Sequence, residues 1–538
     1  MTLTWYLKPT CLLNMAKGLF KRSLVLSAPD ILMIVLDTQR ADRLSCYGYA
    51  QETTPYLDKL AADSALFKHA FSAAQWTVPA HASMFTGQYP SIHGTQHSDS
   101  MLPATLPTLA ERLSMEGYYT AAYCNNPLVG VVNNGLRRGF QSFLNYSGLL
   151  TSRPNQAGVR RTITDRYRQV FKRVLGNTVH KMQDSFARSD ALLWFAFSPL
   201  MVPFWQTALS FKGNTGKSLN DTAQLLIQRK QAEQDQPIFA FVNLMGTHMP
   251  FHPSRKMIDR FAPNVLQSRE ELQYLRRFNS DVFGWLTPLA SEMAHEHKAI
   301  LDGMYDAEVS TQDEHLGNFF NQLESSGALD NTLVMVVADH GEHLGEKHLI
   351  GHTVSLYREL THVPLIIRDP SGNISRGTIQ EHPVSTRRLF HTALTAAGVA
   401  TEDEEQYTLA QTPGNDADKG IVYAEAQTPN NVLNLMMKHK PDLYKKHRCD
   451  QERLAVWQDQ HKLIITGGQH RELFNYVEDP AELNNISPEK PKQTVELAEK
   501  LLTQMHQFKS NTQRTESITE EEDDPQMNSR LRALGYLD

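Results

Sequence analysis

The chain has 538 residues, 41% of them hydrophobic and 21% charged, with a formal net charge of −6. That is enough apolar material for a large soluble core, and the acidic balance excludes a basic field for nucleic acid. At roughly 150 residues per domain the length allows about three or four units, or fewer in a large α/β enzyme.

Residues 1–29 read as an N-terminal extension. Their apolar positions are interrupted by Lys8, Pro9, Lys17, Lys21 and Arg22, and no clean cleavage site follows, so this is not a clear signal peptide. The four cysteines, Cys11, Cys46, Cys124 and Cys449, form no CxxC pair. They fit thiols in a reducing compartment, and the expected location is cytoplasmic, with membrane association as the alternative.

Five short apolar runs follow: "DILMIVLD" (30–37), "YTAAYC" (119–124), "PIFAFVNL" (237–244), "NTLVMVVAD" (331–339) and "HVPLIIR" (362–368). Helical stretches at 105–117 and 309–327 lie among them. Buried strands alternating with helices predict an α/β domain over 30–380, with a mostly parallel sheet covered on both faces. Residues 150–235 read as a helical, partly apolar insertion. Within it, 191–211 carries no charge over twenty-one residues, which by length alone is a membrane-span candidate. A single span would place Asp37 and Asp339 on opposite sides of a membrane, and Pro199 and Pro203 break a straight helix. A buried hairpin or hydrophobic lid is therefore preferred to a membrane-surface patch. From 381 the runs shorten, predicting a smaller α/β subdomain over 381–510 with a helix near 493–508. An acidic linker and tail occupy 511–538.

In parallel sheets ligands sit beyond the carboxyl ends of the strands. There the runs lead into Asp37, into Asp339 and His340, and into Gly246, Thr247 and His248. Two carboxylates and an imidazole suit a divalent cation: Mg, Ca, Mn or Zn. Thr77, in "TVPAH", fits a helix cap with Pro79 in the first turn. A hydroxyl there would join the cation's ligand set and lose its proton more easily. The helix N-terminus would draw a sulfuryl or phosphoryl anion, which His81 would also touch. In "DHGEHLGEKHLIGH", His340 is read as a metal ligand and His352 as an anion contact or proton-transfer group. His343 and His348 are read as surface residues. His248 is a candidate for leaving-group protonation or anion contact.

The segments "DTQRADRLSCYGY", "TVPAHASMFTGQYPSIHG", "VVADHGEHLGEKHLIGH", "LYRELTHVPLII" and "LFNYVEDPAELNNIS" resemble, in order, the sulfatase family of the alkaline-phosphatase superfamily. The resemblance implies an alkaline-phosphatase-like sandwich with a C-terminal subdomain, one divalent metal, and ester cleavage through a covalent intermediate. It implies Asp37, Asp339 and His340 at metal positions and Thr77 at the nucleophile position. His81 falls at the arginine of the family's Cys/Ser-x-Pro-x-Arg motif, and His248 at a substrate-side histidine. His352 falls at a basic position after the Asp-His-Gly. The chain departs from the family in four further places. Thr77 replaces the Cys or Ser that becomes formylglycine, so no formylglycine is expected. Thr38 replaces the second aspartate of the usual pair. Gln88 and "AAYCNNPLVG" lack the usual Arg, Lys and His.

These readings predict hydrolysis of sulfuric esters through Thr77, on a small-molecule or lipid-like substrate. The alternative is a phosphodiesterase, phosphonate-ester hydrolase or phospho-headgroup transferase using the same threonine. The third reading is a non-catalytic binding protein on this fold.

Overall fold

The computed structural model describes residues 28–510, apart from 98–99, 130–131, 147–211, 233–235 and 413. The extension, the tail and the apolar run 191–211 lie outside the described residues. Among those described, no helix is long and apolar enough to cross a membrane.

The first element is strand β1 (Asp30–Leu36), followed by helix α1 (Pro55–Ala62), strand β2 (Ala65–Phe67), helix α2 (Thr77–Thr86) and helix α3 (Leu109–Met115). Strands β3 (Tyr119–Cys124) and β4 (Ser142–Asn145) come next, then helix α4 (Thr215–Gln231), strand β5 (Ile238–Leu244) and helix α5 (His295–Ser326). Strands β6 (Thr332–Val337), β7 (Leu365–Arg368) and β8 (Thr378–Gln380) complete the main sheet. Its eight strands run in the order β8-β2-β7-β6-β1-β5-β3-β4.

The centre is parallel, as expected. β1 pairs with both β5 and β6, Val35 lying opposite Asn243 on one side and Val337 on the other. The carboxyl ends of the three strands are therefore level, and the polar residues that follow each one meet. All seven residues of β5 and all six of β6 are buried, which is why these strands read as unbroken apolar runs. The run 362–368 departs from the expectation. Pro364, which has no N–H to give a ladder, divides it: His362–Val363 joins a small three-stranded sheet, and β7 runs antiparallel to β6 and β2.

The predicted helix at 105–117 is the shorter α3, started by a capping box between Thr108 and Glu111. The one at 309–327 is the last part of the 32-residue α5, which stops at Gly327 with φ 71°. Beyond the main sheet, Val422–Ala426, Arg453–Gln458, His461–Thr466 and His470–Asn475 form a four-stranded antiparallel sheet. Helix Pro491–Ser510 packs on it through Leu497, Leu501 and Met505.

Candidate active site

β1 ends in Asp37 and β6 leads into Asp339 and His340; all three are fully buried. Each offers a donor atom within 4.8 Å of the others. Every one of these side chains has one atom anchored and one left over. Asp37 Oδ2 accepts from Asn126 Nδ2 at 2.6 Å and from Asn243 Nδ2 at 3.3 Å, while Oδ1 has no hydrogen-bond partner. Asp339 Oδ1 accepts from the backbone N–H of His340 (2.9 Å) and Thr38 (3.3 Å), while Oδ2 has none. His340 Nδ1 lies 2.9 Å from the Gly341 carbonyl, which only accepts, so the proton is on Nδ1 and Nε2 carries the lone pair. Burial, and then the charge of Asp37, push the Asp339 carboxyl well above its ordinary range. Two orphaned buried carboxylate oxygens and an imidazole lone pair facing one point fit a divalent cation.

The backbone between β1 and this cluster is strained. Thr38, a β-branched residue, has φ 62°, a conformation that persists only when its surroundings enforce it. The Tyr305 hydroxyl donates to the Thr38 carbonyl at 2.6 Å and accepts from Arg40 N–H at 2.9 Å. Thr247 Oγ1 donates to the Asp37 carbonyl at 2.7 Å. The twist aims Thr38 N–H at Asp339, so the threonine at this position acts through its backbone.

Thr77 opens α2, but as its first helical residue and not as the cap expected from sequence. Trp76 is the N-cap, in extended conformation, and no side chain caps the helix. The Thr77 hydroxyl is therefore not spent on the backbone. It lies 3.3 Å from His340 Nε2 and is 1% exposed. His81, one turn on, points inward. Its Nδ1 donates to the Thr77 carbonyl at 2.9 Å and lies 3.5 Å from Asp339 Oδ2; its Nε2 faces the Asn243 amide at 3.5 Å. Both ring nitrogens thus point at protein groups.

His248 and His352 flank the cluster, their rings 5.2 Å apart, with His352 4.6 Å from the His340 ring. His248 Nδ1 donates to the Met249 carbonyl at 2.5 Å. His352 Nδ1 donates to Glu342 at 2.8 Å. Burial disfavours the charged form of both. For His248 that effect prevails, reinforced by His352, and its pKa falls. For His352 the Glu342 carboxylate outweighs it, and its pKa rises. The surface reading of His343 is corrected: it is 1% exposed, with Nε2 2.6 Å from Ser355 Oγ, and burial drives its pKa down to about 3. His348 is half-buried.

Asn126, Asn243, Glu342 and Tyr305 were not singled out from the sequence. The first three sit at strand ends or beside the Asp-His pair, where a search for polar residues in strand-end positions finds them. Tyr305 lies in mid-helix and carries no such signal.

Fold and site together define a hydrolytic enzyme of the alkaline-phosphatase-like α/β class. The chain belongs to the sulfatase family, whose model, described as Sulfatase, matches residues 29–399. It is similar to the ulvan-active sulfatase of Formosa agariphila, 24% identical over 465 residues that span 85% of this chain and 77% of that protein. It is also similar to the choline-sulfatase of Rhizobium meliloti, 23% identical over 493 residues (87% and 84%). Among solved structures, the phosphonate monoester hydrolase of Agrobacterium radiobacter superposes with a TM-score of 0.61 at 21% identity, covering 89% of this chain and 96% of that one.

Proposed function

We propose that the protein cleaves singly charged sulfuric esters by nucleophilic attack from Thr77. The observation that carries this reading is the uncapped Thr77 hydroxyl, 3.3 Å from His340 in a cluster with two orphaned carboxylate oxygens. Asp37, Asp339 and His340, with Thr77 beside them, would hold the cation. A divalent ion bound there supplies positive charge that favours loss of the Thr77 proton and neutralises the ester oxygens. The residues facing the cluster are carboxylates, amides and imidazoles. Such a lining, with little positive charge of its own, suits a monoanion better than a dianionic phosphate monoester.

Thr77 Oγ1, its proton passing to solvent, forms the bond to the central atom, and the bond to the leaving oxygen breaks with its electron pair. His352, whose pKa Glu342 raises, donates to that oxygen; such a group is typically worth about 10²–10⁴ in rate. His248, whose pKa burial lowers, accepts a proton from the water that attacks next. That water displaces Thr77 and releases the anion. His81 orients the helix and the Asn243 amide. A cavity of about 710 Å³, walled by Phe278, Trp285, Leu289, Met293 and Ile350, opens two residues from His352 in the chain. It supports an aromatic or lipid-like leaving group. The free thiols of Cys46, Cys124 and Cys449 fit a cytoplasmic location.

A second reading, hydrolysis of phosphate diesters or phosphonate monoesters, is favoured by the single hydroxyl of Thr77. A formylglycine hydrate has a second hydroxyl that expels sulfate from carbon. A sulfo-threonine has no such exit and must be attacked again at sulfur, whereas phospho-threonine is readily attacked at phosphorus. The metal-supplemented protein should be assayed in parallel on 4-nitrophenyl sulfate, bis(4-nitrophenyl) phosphate, 4-nitrophenyl phenylphosphonate and 4-nitrophenyl phosphate. Turnover of one of the first three, lost in Thr77→Ala, supports the reading. Turnover that survives Thr77→Ala sinks it.

A further inference from the structure

A second polar cavity, of about 170 Å³, lies between the loop after β6 and the antiparallel sheet. Four of its lining residues are basic: Lys347, Lys446, Arg448 and Arg453. Arg453 is 8% exposed, yet no carboxylate pairs with it among the described residues. Its guanidinium donates only to carbonyls, those of Gln451 (3.0 Å), His447 (2.7 Å) and Arg448 (3.2 Å). A buried cation whose hydrogen bonds all go to neutral carbonyls is costly, and Glu472 in the same lining offsets this only through space. His447, on the same wall, has its Nε2 buried without a hydrogen-bond partner. Lys446 and Arg448 are exposed and their side chains make no ion pair or hydrogen bond among the described residues. Arg448 reaches its place through φ 49°. Lys347 stands over the Tyr357 ring at 5.3 Å. The single acid of the lining, Glu472, is occupied by the Tyr357 hydroxyl at 2.9 Å.

We infer that this pocket is an anion site taking one sulfate or phosphate group, separate from the Asp37–His340 cluster. Four cations against one engaged carboxylate set the sign, and the volume suits a single tetrahedral oxyanion. Arg453, Lys446 and Arg448 supply the charge-assisted donors, as such anions require. The wall residues Val354 and Ser355 follow His352 by two and three positions. At about 3.8 Å between successive Cα atoms, they lie within roughly 8–11 Å of it. The occupant is thus either a second anionic group on the substrate or a free inorganic anion such as the released product.

The test is calorimetric titration of the full chain with inorganic sulfate, and separately with inorganic phosphate, at an ionic strength held constant with chloride. Lys446→Ala/Arg448→Ala alters two exposed positions outside the catalytic cluster. It should bind on the order of tenfold more weakly, and Arg453→Gln more weakly still. Unchanged affinity in the double variant, or no saturable binding by the unaltered chain, overturns the site. The double variant decides alone if Arg453→Gln does not fold. Kinetics then separate the two sources, and this arm rests on the proposed activity while the calorimetry does not. A KM raised in the double variant only for a disulfated aryl ester assigns the pocket to the substrate. Lost sulfate binding with KM unchanged for mono- and disulfated esters assigns it to the free anion.

Discussion

Thr77 Oγ1 and His340 Nε2 stand 3.3 Å apart although 263 residues separate them in the chain. Helix α2 brings one, the end of β6 brings the other, and neither atom is engaged by its own backbone. If that hydroxyl is the nucleophile, Thr77→Ala should lower kcat by at least about a thousandfold with little change in melting temperature. Thr77→Ser keeps the hydroxyl and loses a methyl, so it should retain measurable turnover. An alanine variant as active as the serine variant would remove Thr77 from the chemistry.

A second consequence concerns Asn126, whose amide donates to Asp37 Oδ2 at 2.6 Å while its Oδ1 accepts from Leu128 N–H at 2.9 Å. Asn126→Asp preserves the turn contact but sets a carboxylate oxygen against Asp37. Groups that orient a ligand typically contribute about 10–100-fold to metal affinity. Titration with Mn²⁺ should show a loss of at least that size. Equal affinity in the two proteins would mean that Asp37 needs no such support.

The parts of this arrangement visible in the sequence were those set by local pattern. β1, β5 and β6 are buried on both faces, so they read as apolar runs, and Asp37, Asp339, His340 and His248 stand out as the polar residues that end them. The direction of β7 was not visible, because a fully buried strand has the same composition whichever way it runs. A threonine at the cap and one at the first helical position look alike in sequence, and only the extended Trp76 distinguishes them here. Asn243 faces Asp37 because of the register between β1 and β5, and Tyr305 reaches Thr38 across 267 positions. Such pairings follow from the tertiary fold, and no short window of sequence contains them.

The two orphaned carboxylate oxygens also predict how stability responds to metal. Without a cation, Asp37 and Asp339 oppose each other in a dry site, so Asp339→Asn in the presence of chelator should be at least as stable as the unaltered chain. With Mg²⁺ or Mn²⁺ at about 100 times its dissociation constant, the unaltered chain should gain about 2.7 kcal/mol. The variant should gain much less. Calorimetric melting of both proteins, with and without chelator, checks this, and equal metal-dependent gains would place the cation elsewhere.

Glu425 gives a prediction independent of the catalytic cluster. It is 2% exposed on the first strand of the antiparallel sheet and accepts from Ser91 N–H at 2.9 Å. Its second oxygen meets the Ser91 hydroxyl. Burial raises its pKa to about 7, against the opposing effect of the Ser91 hydrogen bonds. The folded chain therefore keeps a proton that the unfolded chain has released above its ordinary carboxyl pKa. The stability this contributes is complete below that value and is lost as pH rises through about 7. Glu425→Gln cannot ionise, and its amide can still accept from Ser91 N–H and donate to the hydroxyl. Urea denaturation at pH 5 and pH 8 should show a loss of stability between the two that is smaller in the variant by about 2–3 kcal/mol. Equal losses in both proteins would mean that Glu425 titrates alike folded and unfolded.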